Sequence, residues 1–199
     1  FSVSNVLTML IPSRYVSTNI STKIWELTHI KSNTFTVNKT QVQLTIMSKS
    51  NHEHHTKFFV NYIANCITII EGVFKKKIGA IKIILALTNE KKRLPTRTSN
   101  GTIFTADHMN SGLTLQIPNQ APVILVYRKD EMCKVILHEL LHAYSTHTSS
   151  NSSIDEFLIQ KYRISIRERS SLHIFESYVE AIALILNSIM YTKLFGDQK

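Results

Sequence analysis

Val135-Ile136-Leu137-His138-Glu139-Leu140-Leu141-His142-Ala143 is the stretch on which the reading of this chain turns. It is an apolar run broken by two histidines four positions apart and one glutamate. Positions four apart share a helix face, so His138 and His142 offer their imidazoles to one ion. Glu139 projects beside them, where a carboxylate takes a proton from an activated water. The apolar flanks suit a buried helix with a few inward polar groups. The plainer alternative is an amphipathic helix with two histidines and a surface carboxylate.

Outward from that helix, the pattern predicts two strands before it, Gly112–Ile117 and Val123–Arg128, separated by Pro118 and Pro122. Asp130 or a neighbour opens the motif helix, which is expected to run to about His147. A polar loop, Thr148–Ser153, leads to a helix over Ile154–Tyr162. A last helix is expected from Ser170 or Ser171, with Ser as cap, to about Leu194. Upstream, alternation of Phe35, Val37, Val42, Leu44 and Ile46 predicts a bent strand or a hairpin turning near Asn38-Lys39. Apolar spacing from Phe58 to Phe74 is helical and is followed by Lys75-Lys76-Lys77, favourable at a helix C-terminus. Ile81–Leu87 reads as a buried strand, and Asn89–Asn100 as a polar loop. Residues 1–33 give only a short helix around Thr22–His29. The order implies an α+β fold in which the motif helix packs beneath a small sheet and a C-terminal helix closes it.

The chain has 199 residues, 43% of them hydrophobic, which suits one domain with a sizeable core and argues against disorder. It divides into an N-terminal helix and strand portion, 1–105, and a site portion, 106–199. Cys66 and Cys133 lie in apolar stretches, as buried free thiols do, which leans towards an intracellular, reducing compartment. The best apolar stretches, around Phe58–Phe74 and Val179–Met190, are interrupted by polar groups, so no membrane span is expected. The formal charge of +9 favours acidic partners without choosing among acidic protein segments, nucleic acid and anionic membranes. Lys75–Lys77 and Lys91–Arg97 lack interleaved aromatics, which makes a nucleic-acid role the weaker reading.

Three protein ligands are the usual count for a catalytic zinc, so two histidines call for a third group. His147, His173, Glu176 and Glu180 lie downstream. On the last helix His173, Glu176, Glu180 and Asn187 fall on one face and form a polar stripe. Two carboxylates among so many apolar residues need partners, and a cation supplies one. A solvent-facing stripe is the competing account. Asn51-His52-Glu53-His54-His55 reads as a solvated helix start rather than a second metal site.

His138-Glu139-x-x-His142 followed by Glu176-x-x-x-Glu180 resembles the gluzincin zinc metallopeptidases, over roughly Ala106–Leu186. The resemblance implies a zincin-like fold, Zn2+ as cofactor and a peptide or protein substrate. It implies that Glu176 is the third ligand, that Glu180 orients His138 through its free ring nitrogen, and that Glu139 is the general base. An oxyanion donor is also implied, with His173, Tyr162 and Tyr144 as candidates. The edge strand that pairs with substrate in such folds is matched by Met109–Leu115, where Asn110 and Gly112 are the candidate contacts. An ordinary Gly-containing turn is the alternative there. The chain departs from the family in three ways. The interval from His142 to Glu176 is longer, Phe175 precedes the ligand, and Glu180 stands where an Asp is usual. The choice between Glu176 and Glu180 as ligand therefore stays open. A metzincin pattern fits less well, since Ser145 and Thr148 hold its Gly and His positions. His138–Tyr144 also looks locally like SprT-type proteases, whose third histidine is missing at the expected interval. A non-catalytic structural protein that keeps a zincin fold is the second class. The +9 charge and the heavy use of Asn, Ser, Thr, Ile and Lys suit a virion component of a large DNA virus. Intact Glu139 argues against it.

Overall fold

The computed structural model describes residues 3–10, 16–50, 53–92, 108, 110–144, 152–163 and 174–195. Helices α1 (Val3–Leu10) and α2 (Thr18–Trp25) precede a hairpin of β1 (His29–Val37) and β2 (Thr40–Ser48). Helix α3 (Glu53–Phe74) leads to β3 (Ala80–Thr88), then to β4 (Gly112–Leu115) and β5 (Val123–Arg128). A short 3-10 turn, Lys129–Glu131, opens the motif helix α4 (Met132–Ala143), and α5 (Ser152–Tyr162) and α6 (Ile174–Phe195) follow. The result is a mixed α+β fold.

The five strands lie in the order β1-β2-β3-β5-β4. The central three are parallel, and each edge strand is antiparallel to its neighbour. Asn38 and Lys39 take φ of 47° and 79°, the left-handed pair that a two-residue hairpin requires, so the expected turn falls where the sequence placed it. Parallel strands covered on both faces read as near-continuous apolar runs, and β3 and β5 do.

Alternation along the strands sorts the core into two layers. Val42, Leu44, Ile46, Ile81, Ile83, Leu85, Ile124 and Val126 face α3, α4 and α6. Met47, Ile84, Ala86, Leu113, Val123, Leu125 and Tyr127 face α1 and α2. The N-terminal helices thus cover the sheet opposite the motif helix, a layer that the sequence reading lacked beyond one short helix. That helix runs over Thr18–Trp25, not Thr22–His29: Ser17 caps its N-terminus by accepting from the Ile20 amide, and His29 already belongs to β1.

Two further boundaries shift. β4 stops at Leu115 rather than Ile117. The motif helix ends at Ala143, with Tyr144 at its C-cap, rather than near His147, which lies outside the described residues. The Ser170/Ser171 cap lies outside them too. By length and composition alone, Thr56–Phe74 is apolar enough to cross a membrane, but one such helix is weak evidence and is consistent with the expectation of no membrane span. Here it is a sheet-covering helix, with Phe59, Tyr62, Ile63, Cys66, Ile67 and Ile70 in the core. Cys66 is buried and Cys133 partly so, both as free thiols. Burial pushes both thiols up, Cys133 to about 11, so neither is a ready thiolate at neutral pH.

Tyr144 anchors the end of the motif helix. Its hydroxyl donates to Glu71 Oε1 at 2.9 Å, and Thr40 Oγ1 lies 2.8 Å from the same oxygen. Glu71 is 6% exposed, and its Oε2 has no hydrogen-bond partner among the described residues. A buried carboxylate so sparsely served depends on each donor. Tyr144→Phe is expected to cost about 1–3 kcal/mol, read as a lower urea midpoint with unchanged m-value.

Candidate metal centre

The donor atoms of His138, His142 and Glu176 all lie within 4.8 Å of one another. The two Nε2 atoms are 3.1 Å apart. Glu176 Oε2 lies 3.3 Å from His138 Nε2, and its Oε1 3.4 Å from His142 Nε2. One turn of α4 stacks the histidines, and α6 packs along α4 so that its Glu176 closes the triangle.

Glu180, one turn further along α6, accepts from His138 Nδ1 at 3.0 Å. Lys134, one turn before His138, donates to the other Glu180 oxygen at 2.7 Å. The Glu180 carboxylate is thus clamped between an ammonium and an imidazole and fixes the His138 ring. The site is electrostatically coupled throughout. Glu176 sits well below the usual carboxylate range because both imidazoles hydrogen-bond to it. Burial pushes the His138 imidazolium down, but the Glu176 hydrogen bond and the charges of Glu139, Glu176 and Glu180 outweigh it, so its pKa is raised. Burial pushes Glu180 up, and Lys134 and His138 more than reverse this.

Glu139 sits beside the triangle and is 6% exposed. Burial raises its pKa, against hydrogen bonding from Thr114 and the nearby imidazoles. Thr114 Oγ1 lies 2.7 Å from Glu139 Oε2. On the same strand, a Cβ on Gly112 would sit 2.7 Å from Val135 Cγ1, 3.0 Å from the Leu125 carbonyl oxygen and 3.1 Å from Glu139 Oε1. Gly112 therefore lets the edge strand lie against the motif helix. Gly112→Ala is expected to destabilise the fold by about 1–3 kcal/mol through overpacking, measured by urea unfolding.

Asn110, a candidate substrate contact, precedes β4 and is partly buried. Its carbonyl accepts from Arg128 Nε at 3.0 Å. Of the candidate oxyanion donors, Tyr144 is 2% exposed and its hydroxyl donates to Glu71. Tyr162 is 64% exposed at the end of α5, and His173 lies outside the described residues. The sequence reading missed Thr114, Lys134 and Glu71. Strand parity was the one signal within reach, because Thr114 shares a face with Gly112.

Comparison of the chain with protein-family models, with curated proteins and with solved structures gives no match.

Proposed function

We propose that the chain is a zinc-dependent peptidase of gluzincin type, with a zincin-like fold. One observation carries the reading. A tetrahedral zinc with bonds of about 2.0–2.1 Å sets neighbouring ligand atoms about 3.3 Å apart. The two imidazole Nε2 atoms are 3.1 Å apart, each faces one oxygen of the Glu176 carboxylate at 3.3 and 3.4 Å, and one donor atom from each residue lies within 4.8 Å of the others, close enough to converge on one ion. Two imidazoles and a carboxylate are the donor chemistry of a catalytic rather than a closed structural zinc site. The split between Glu176 in the triangle and Glu180 on His138 Nδ1 favours Glu176 as ligand and Glu180 as its supporting carboxylate.

When bound, zinc polarises the scissile carbonyl and makes a water acidic. Glu139 takes that water's proton and passes it to the departing amine, a role for which its burial-raised basicity suits it. Gly112 and Thr114 receive the substrate backbone. The Tyr127 amide donates to the Ser111 carbonyl, so in an antiparallel ladder Ser111, Leu113 and Leu115 bond inward to β5. The amide groups of Gly112 and Thr114 then turn to the outer edge, where an extended peptide adds as a strand.

The test is metal content together with cleavage of an unstructured protein such as casein. About one zinc per chain, with cleavage lost on chelation and restored by zinc, supports the reading. Zinc without cleavage points to a structural protein on the same fold, and absence of zinc overturns the proposal.

A further inference from the structure

We propose that Thr114 is the positioning residue for the Glu139 carboxylate, so that one strand, β4, both receives the substrate backbone and fixes the base. The catalytic half of this inference rests on the peptidase reading; the contact itself rests on geometry.

A buried carboxylate requires donors. Among the described residues, the Glu139 side chain receives one, from Thr114 Oγ1 at 2.7 Å. The same hydroxyl lies 3.0 Å from the Glu139 main-chain oxygen. It has a single proton to give. The carboxylate is the closer and the charged acceptor, and the helical ladder already serves the main-chain carbonyl. The other carboxylate oxygen lies over Gly112, 3.1 Å from where a Cβ on that residue would sit. Both oxygens of the base are therefore placed by β4: one is held by a hydroxyl, the other rests over a glycine. These are also the two β4 residues whose main-chain groups turn to the outer edge of the sheet, where no further strand pairs among the described residues. A peptide that pairs there is aligned by the same backbone that aims the base, and a small shift of one is transmitted to the other.

Two measurements test this. In zinc-loaded protein, Thr114→Val keeps the side-chain shape and removes the donor. Its kcat is expected to fall roughly 10–100-fold, with KM and zinc Kd unchanged, and Thr114→Ser is expected to restore the rate. A wild-type kcat in Thr114→Val, or a Thr114→Ser variant as slow as Thr114→Val, overturns the positioning role. In metal-free protein, urea midpoints are compared with and without Glu139→Ala. Thr114→Val is expected to lower the midpoint when Glu139 is present and to leave it nearly unchanged when Glu139 is alanine. An equal drop in both backgrounds means that the hydroxyl serves the main-chain carbonyl, and the proposal fails. If the wild type cleaves nothing while the two substitutions are coupled, the peptidase reading and the catalytic half fall and the contact stands.

Discussion

Replacing Glu139 with glutamine is expected to leave zinc on the protein and to lower peptide hydrolysis by roughly 10²–10⁴-fold. Glutamine matches the volume of glutamate, and its side-chain oxygen still accepts from Thr114, so the packing of α4 against β4 is kept. Glu139 lies outside the three-donor triangle, so the ligand set is untouched. On the proposed mechanism, what is lost is the capacity to carry a proton from water to the leaving amine. The amide also removes a buried negative charge, so the variant is expected to be at least as stable as the wild type, which separates lost chemistry from lost fold. A side-by-side assay of zinc content, thermal midpoint and casein cleavage checks it. Unchanged cleavage with zinc in place would assign the proton transfer to another group.

His142→Ala and Glu176→Ala are each expected to abolish stoichiometric zinc binding, and with it the stabilisation that zinc confers. At a free zinc concentration about 1,000 times the Kd, binding stabilises the native state by about 4 kcal/mol. For a chain of this size that raises the thermal midpoint by roughly 8–16 °C, and neither variant should show the rise. The effect depends on pH with a definite sign. In the metal-free protein the His138 pKa is raised by its carboxylate neighbours despite burial. The stability from its protonated contacts is therefore fully present below the unfolded value of about 6.5 and is lost as pH rises through the raised folded value. Zinc competes with that proton, so its own stabilisation runs the other way: strongest at higher pH and weakening as pH falls through a range that begins above 6.5. Zinc titrations across pH 5–9, with proton release measured in weakly and strongly buffered solutions, decide it. A zinc affinity independent of pH would remove His138 from the ligand set.

The fold was legible where a local pattern had one physical meaning. The hairpin turn at Asn38-Lys39, the apolar runs of β3 and β5, and the 3.6-residue spacing of α3 all sit where periodicity put them. Helix ends were less legible. Tyr144 stands at the C-cap of α4 with its hydroxyl on Glu71, 73 positions away, and no local signal carries that contact. The α1 and α2 layer was nearly invisible, since its buried positions, such as Leu7, Ile20 and Ile24, become a face only against the underside of the sheet. Likewise α3 resembles a membrane-crossing helix by composition, and only its packing on the strands shows what its apolar face covers.

The site divides the same way. Sequence by itself determined that His138 and His142 share a face, that Glu139 stands beside them, and that Glu176 and Glu180 share a face one turn apart on a later helix, because helical geometry fixes such relations within one element. Which carboxylate meets both imidazoles is a relation between two helices, and only the packing of α6 along α4 decided it: Glu176 to the Nε2 pair, Glu180 to His138 Nδ1 and Lys134. The link from Thr114 to Glu139 is likewise a matter of which edge of the sheet lies against the motif helix. Periodicity acts along one element, whereas contacts between elements follow from the closure of the whole core.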